Sequence, residues 1–223
     1  MIPITIFTCS FNKPKYVTEA MKSVLNQTHK DFEYIVLENS TDNVTKQVVN
    51  KVKDPRMKVV HEEINQWRRK KTYPESYLKN KYYPKARGKY ILFLADDDLL
   101  TPTCLEEHIK DFRKNPTHKA NYHSYRITYL NHKFPDEIKS ADVIYGKDWN
   151  NDPVCNIDGV TLMHEKSLLD QMVQPYFRGN WSMAHVSDGY FARRIATITN
   201  IYPINKVLHI KRCTSDSTHY RYK

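Results

Sequence analysis

The chain has 223 residues, 40% hydrophobic and 27% charged, the make-up of a folded globular protein rather than a disordered or fibrous one. Its formal charge of +10 favours polyanionic partners: nucleic acid, an anionic membrane surface or nucleotide-type ligands. With 5 Gly and no G-x-x-x-x-G-K-S/T or G-x-G-x-x-G motif, a Gly-rich phosphate loop is excluded, and the 4 scattered cysteines (Cys9, Cys104, Cys155, Cys213) exclude a C-x-x-C zinc or disulfide framework.

In chain order, Ile2 to Thr8 reads as a β-branched strand. Asn12, Lys13 and Pro14 then open a helix whose Val17, Ala20, Met21, Val24 and Leu25 form one apolar stripe. Phe32 to Leu37 is a second buried strand, followed by the polar turn Glu38 to Asn43 and a helix carrying Val44, Val48, Val49 and Val52 on one side. Met57 to Val60 is a short third strand. This strand–helix alternation begins a doubly wound α/β layer with right-handed crossovers. His61 to Lys89 is irregular: a basic run, Gln66 to Tyr73, precedes a helix that Pro74 and Pro84 restrict to about two turns. After Gly88, Tyr90 to Leu94 is an apolar run, so a strand buried on both faces.

That strand ends in three adjacent carboxylates, Asp96, Asp97 and Asp98. Side by side they repel, and burial raises the cost unless a positive charge is present, which a hard divalent cation with oxygen ligands supplies. A solvated acidic turn is the alternative. Thr101 is placed to cap the next helix and Pro102 to occupy its first position. Leu105, Ile109 and Phe112 mark that helix, which closes at Asn115-Pro116. Ala120 to Leu130 then reads as part of an antiparallel strand pair turning at Asn131-His132-Lys133. Val160 to His164 is a strand, Glu165 to Val173 a helix and Asp188 to Ala196 a short helix; Ile198 to Ile204 and Lys206 to Ile210 are late strands. No repeat, low-complexity tract or linker interrupts the chain, so one domain (1–223) is expected.

Three blocks carry a family resemblance. They are Ile4 to Val17 continuing to Ser23-Val24-Leu25-Asn26-Gln27-Thr28, then Phe32 to Asp42, then Ala86 to Pro102. In this order and spacing the chain resembles the family 2 glycosyltransferases of GT-A fold, and the Ala95-Asp96-Asp97-Asp98 turn, Pro153 to Asp158 and Ser187 to Arg194 are similar to its spore-coat polysaccharide branch. The resemblance implies a Rossmann-like, mixed and mainly parallel sheet flanked by helices, with a small antiparallel sheet on the acceptor side. It also implies a nucleotide-binding half (1–102) and an acceptor-binding half (103–223). The implied activity is metal-dependent, inverting sugar transfer from a UDP- or dTDP-linked donor, with Mn²⁺ or Mg²⁺ as cofactor. Thr8, Ser10 and Phe11 stand where the nucleobase is cradled, and Glu38 where an Asp receives the pyrimidine ring. Arg69 would reach the nucleotide, Asp96 the ribose, Asp97 the metal with Asp98 in support, and Asp188 would be the catalytic base.

Each residue also has a plainer reading. Asp188 could simply cap its helix, with Asp158 the reserve base. Arg68 to Lys71 could be a solvated face. His164, His185, His209 and His219 are optional ligands, and Trp181 could stack on a sugar or pack in the core. The acceptor that the resemblance implies is a hydroxyl on a saccharide, a lipid-linked precursor or another molecule, and the positive charge points to an anionic one. Two other readings stay open: a basic nucleic-acid-binding protein using the run around Trp67, and a nucleotide-binding partner subunit without transferase activity. No apolar stretch is long enough to span a bilayer and no signal-peptide pattern opens the chain, so a cytoplasmic location, with peripheral membrane contact allowed, is expected.

Overall fold

The computed structural model describes residues 3–64, 71–130, 134–147, 151–178, 182 and 186–214. The amino-terminal part runs β1 (Ile4–Ser10), α1 (Pro14–Leu25), β2 (Phe32–Glu38), α2 (Asn43–Lys51), β3 (Met57–His61), α3 (Pro74–Tyr82) and β4 (Tyr90–Phe93). It continues with β5 (Leu99–Leu100), α4 (Cys104–Lys114), β6 (Ala120–Tyr129), β7 (Glu137–Lys139), β8 (Leu162–Glu165), α5 (Ser187–Ile198) and β9 (Ile201–Cys213). Among the described residues the strands form one sheet in the order β3-β2-β1-β4-β8-β6-β9-β5, with β7 beside β6. β3, β2, β1 and β4 are mutually parallel. β8 is antiparallel to β4 and β6, whereas β9 runs parallel to β6. The antiparallel strands expected on the acceptor side are thus continuous with the main sheet.

Two-residue alternation along the parallel strands sends apolar side chains to both faces. Ile4, Ile6, Tyr34, Val36, Tyr90 and Leu92 pack with Val17, Ala20, Met21 and Val24 of α1 and with Leu105, Ile109 and Phe112 of α4. Phe7, Cys9, Leu37, Ile91 and Phe93 pack with Leu78 of α3 and with Phe191, Ala192 and Ile195 of α5. Each fully buried Leu, Ile or Phe contributes about 1.5–3 kcal/mol against exposure, so the two faces hold the strand ends in fixed relative positions.

Four expectations change. First, Thr101 does not cap α4: the chain forms β5 before the helix, Thr101 N–H donates to Leu208 O (2.9 Å), and the Thr101 hydroxyl is buried with no partner among the described residues. Pairing with β9 won over the local cap. Second, the two late strands are one 13-residue strand. Asn205 and Lys206 bulge outward where the register shifts from His123↔Ile204 to Ser124↔Val207. Third, the helix expected from Glu165 is a short 3-10 helix, Lys166–Gln171. Fourth, α5 starts at Ser187 with Val186 in the cap position, so Asp188 is not the cap. The expected turn at residues 131–133 lies outside the described residues, but β6 and β7 do pair antiparallel.

Side chains from Ser23 to Thr28 anchor the backbone just beyond the acidic turn. Ser23 Oγ accepts the Leu100 amide (3.1 Å), Gln27 Nε2 donates to Thr101 O (2.7 Å), and Gln27 Oε1 accepts the Leu105 amide (3.0 Å). At the opposite end of the strands, Thr5 Oγ1 donates to Glu33 (2.6 Å) and accepts the Gly88 amide (2.8 Å). A Cβ on Gly88 would lie 2.4 Å from the Thr5 nitrogen and 2.6 Å from the Ile4 carbonyl carbon. Because both are backbone atoms of a central strand, Gly88→Ala is expected to destabilise the fold by about 3 kcal/mol, the upper end of overpacking costs, read from the midpoint of urea unfolding.

Candidate active site

The carboxyl ends of the parallel strands β1, β2 and β4 meet at one edge of the sheet, where open α/β sheets gather their ligands. Asp96, Asp97 and Asp98 follow β4 here, all three buried. Each is met by a different element. Asp96 Oδ2 accepts the Phe11 amide from the β1–α1 turn (2.8 Å). Asp97 is ion-paired with the Lys13 ammonium of the same turn. Asp98 faces β9: Oδ2 pairs with His209 Nε2 (3.0 Å) and Oδ1 accepts the Arg212 amide (2.9 Å). The Arg212 guanidinium completes the clamp, donating to the Asp97 carbonyl and to Glu19 of α1.

Packing like charges together raises their proton affinity. Burial, then the neighbouring Asp97 charge, push the Asp96 carboxyl up to about 8. Burial and the Asp98 charge likewise raise Asp97, with Lys13 opposing. The turn is therefore short of positive charge, and its donor set is oxygen alone, which suits a hard divalent cation.

Of the other expected nucleotide contacts, Thr8 and Ser10 are both fully buried. The Thr8 hydroxyl accepts from Tyr34 (2.9 Å), while Ser10 Oγ has no hydrogen-bond partner among the described residues. The Phe11 side chain is 42% exposed. Glu38 is buried: one oxygen accepts the Ser40 amide (2.7 Å) and the other pairs with His61 Nδ1 (3.0 Å). Glu38, Ser40, Lys46 and His61 line a polar pocket of about 210 Å³. Arg69, with Arg68, Trp181, His185 and His219, lies outside the described residues.

Asp188 projects from the first turn of α5, its side chain 32% exposed, and Oδ1 accepts from Lys79 Nζ (2.9 Å). Lys79, 1% exposed, also pairs with Glu75 (2.6 Å) and lies over the Phe93 ring, 3.6 Å from its centroid. Burial alone would lower Lys79, but Asp188 and Glu75 outweigh it and hold the ammonium well above its ordinary value. Lys79 thus joins Glu75 of α3 and the α5 carboxylate in one charged cluster. Gly159 leaves the room Asp188 needs, since a Cβ there would stand 2.4 Å from its carboxyl carbon.

Asp158, the reserve base, is ion-paired with Lys211 of β9. His164 packs between Tyr83 and Phe191 in the core. Cys104, His108 and His123 bring sulfur and ring nitrogens within 4.8 Å of one another behind the sheet. There His108 Nε2 and His123 Nδ1 are 2.8 Å apart and Asn121 holds His108 Nδ1 at 2.6 Å, while His123 Nε2 is buried with no partner among the described residues. Burial pushes His108 down to about 4 and lowers His123 as well, so both rings are neutral at pH 7. Sequence reasoning missed Lys13, His61, Lys79 and Arg212. A lysine directly after the β1 motif was a usable signal for the first; Arg212 stands 115 positions from the carbonyl it holds, with no local sign.

The family model described as Glycosyl transferase family 2 matches residues 5–168, most of the chain, and the chain belongs to that family. It is similar to Protein CgeD of Bacillus subtilis (strain 168), 28% identical over 229 residues that cover 99% of this chain and 52% of CgeD. The chain thus spans about half the length of that relative. Its fold is similar to that of TarS 1-349 from S. aureus in complex with UDP-GlcNAc, with TM-score 0.74 at 19% identity over 96% of this chain and 60% of that one. It is also similar in fold to the mannosyltransferase PcManGT from Pyrobaculum calidifontis in complex with GDP-Man and Mn²⁺, with TM-score 0.67 at 14% identity over 98% of this chain and 59% of that one. The architecture is therefore GT-A. Among the described residues no helix is long and apolar enough to cross a membrane.

The Asp158–Lys211 pair fastens the segment before β8 to β9 beside the acidic turn. Burial alone would raise Asp158, but Lys211 and His209 bring it down to about 2. The depressed folded value means stability present above the unfolded carboxylate value near 4 and lost as pH falls toward about 2. Asp158→Asn is expected to cost about 2–3 kcal/mol in urea unfolding at pH 7 and at pH 5, with the gap to the parent narrowing below pH ~4.

Proposed function

We propose that this family 2 member transfers a sugar from a UDP- or dTDP-linked donor to a hydroxyl acceptor by one direct displacement that inverts the anomeric centre. The observation that carries the reading is the buried Asp96–Asp98 turn at the strand ends; the partly exposed carboxylate of Asp188, held by Lys79, accompanies it. The family match supports sugar transfer as the activity. The UDP-GlcNAc in TarS supports a uridine donor, and the Mn²⁺ in PcManGT supports a divalent cation, Mn²⁺ or Mg²⁺.

In this reading the nucleobase enters the pocket lined by Glu38 and His61. Glu38 has one oxygen committed to the Ser40 amide and receives the ring N–H on the oxygen shared with His61. Phe11 offers an exposed aromatic face beside it, and Ser10 a hydroxyl lacking a partner among the described residues. Asp96, fixed by the Phe11 amide, faces the ribose. Arg69 is proposed to reach the nucleotide as well. The fit to a cation is good: the donors are oxygens, and Asp97 already attracts an ammonium. Asp97 would hold the ion, while Asp98, with an oxygen each on His209 and the Arg212 amide, keeps the turn in place. When bound, the cation neutralises charge growing on the departing diphosphate.

Asp188 takes the proton of the attacking hydroxyl. The buried Lys79 ammonium donates to Asp188 Oδ1 and so fixes the direction in which the carboxylate points. Direct attack needs no second carboxylate as nucleophile, and the other acids near Asp188 are paired: Glu75 with Lys79 and Asp158 with Lys211. The excess positive charge favours an anionic acceptor, either a saccharide or a lipid-linked one.

A panel of nucleotide sugars, assayed for nucleoside diphosphate release with Mn²⁺, tests the reading. Release is expected from a UDP- or dTDP-sugar, and none from any donor would contradict it. With the active donor, Asp188→Asn is expected to lower turnover by about 10²–10⁴-fold while nucleotide affinity changes by less than about twofold. Unchanged turnover would remove Asp188 from the base role.

A further inference from the structure

We propose that Lys13 is a resident counter-ion of the acidic turn, which a divalent cation must displace from Asp97 in order to bind, so that Lys13 sets the metal affinity of the free protein. This rests on the reading of Asp97 as the cation ligand.

The three carboxylates are not equally available. Asp96 is held by a backbone amide, and Asp98 by a backbone amide and a buried imidazole, so neither is released without disturbing β9 or the β1–α1 turn. Among the described residues Arg212 spends its guanidinium on the Asp97 carbonyl, on Glu19 and on Tyr16 O rather than on the Asp97 carboxylate, and Lys211 is paired with Asp158. Asp97 is left to a lysine, whose ammonium ends a flexible four-carbon stem. The pair is also reachable, with Lys13 24% and Asp97 10% exposed.

The base of that stem is fixed. Asn12 adopts a left-handed conformation (φ 51°), which turns the chain sharply between Phe11 and Lys13. Its amide donates to Ser40 Oγ (3.0 Å), its side-chain oxygen accepts the Thr41 amide (2.9 Å), and its Nδ2 donates to Thr41 Oγ1 (2.8 Å). The turn is thereby tied to the end of β2 and, through Phe11, to Asp96. A tethered ammonium beside a fixed carboxylate competes with every incoming cation at high local concentration. One carboxylate oxygen cannot serve an ammonium and a metal together, because the two cations repel at such short range. On metal arrival the lysine has to swing off Asp97. It then remains within reach of the anionic diphosphate drawn to the same ion.

The consequence is a pair of effects of opposite sign, which a merely structural ion pair would not produce. Mn²⁺ binding to the metal-stripped full chain, without nucleotide, is read from loss of the free-ion EPR signal. Lys13→Met is expected to bind Mn²⁺ roughly fivefold or more tighter than the parent, the worth of a partly exposed ion pair. Lys13→Gln, which removes the charge but keeps a hydrogen-bonding end, is expected to shift in the same direction, and Lys13→Arg to bind no tighter than the parent. At saturating Mn²⁺, calorimetry with UDP is expected to show weaker nucleotide binding in Lys13→Met. Mn²⁺ affinity equal to or below the parent's in both Lys13→Met and Lys13→Gln would overturn the inference while leaving Asp97 as the ligand. Mn²⁺ binding by none of the proteins, or unaltered binding in Asp97→Asn, would overturn the ligand assignment itself and the inference with it.

Discussion

Three adjacent carboxylates buried at one strand end are the constraint on which the rest depends. Left alone they would either take up protons or drive the turn out into water. Against this the fold brings a backbone amide and an ammonium from the β1–α1 turn, and an imidazole, an amide and a guanidinium from β9, which offset the repulsion only in part. This explains why β9 is long and why it runs back alongside β6: only then do His209 and Arg212 arrive beside Asp98. The last strand of the sheet is in effect a cover over the acidic turn.

The arrangement joins the two parts of the chain. Arg212 links the turn to Glu19 of α1, Lys211 links β9 to Asp158, and Ser23 and Gln27 hold the segment between β5 and α4. A second charged cluster, Glu75–Lys79–Asp188, sets its ammonium against the ring of Phe93, the last residue of β4. Both clusters are partly desolvated and neither is apolar, an expensive combination for stability that is characteristic of sites built to bind charge. The third polar cluster, Cys104–His108–His123, differs: its rings are neutral and hydrogen-bonded to one another, which makes it part of the core.

Much of this was legible in the residues. The stripe from Val17 to Val24, the apolar runs of β2 and β4, and the helix carrying Phe191 and Ile195 are local patterns, and local patterns are what periodicity reports. The acidic turn announced itself because three like charges after a buried strand conflict with burial. What stayed hidden was set by distant partners. Thr101 has every local mark of a cap, yet its amide pairs with Leu208. Asn205 looks like the break between two strands, one ending at Ile204 and one opening at Lys206; the two residues become a bulge in one strand because the neighbouring β6 continues past them. Lys13 and Lys79 read as ordinary surface lysines until the fold sets carboxylates against them.

The central claim is that this turn holds a nucleoside diphosphate through a divalent cation, and it is tested most directly by calorimetric titration of the metal-stripped chain with UDP, first in EDTA and then in Mn²⁺. Binding at least tenfold tighter with Mn²⁺ is expected, about 1.4 kcal/mol. Equal affinity in the two conditions, or no binding in either, would contradict it.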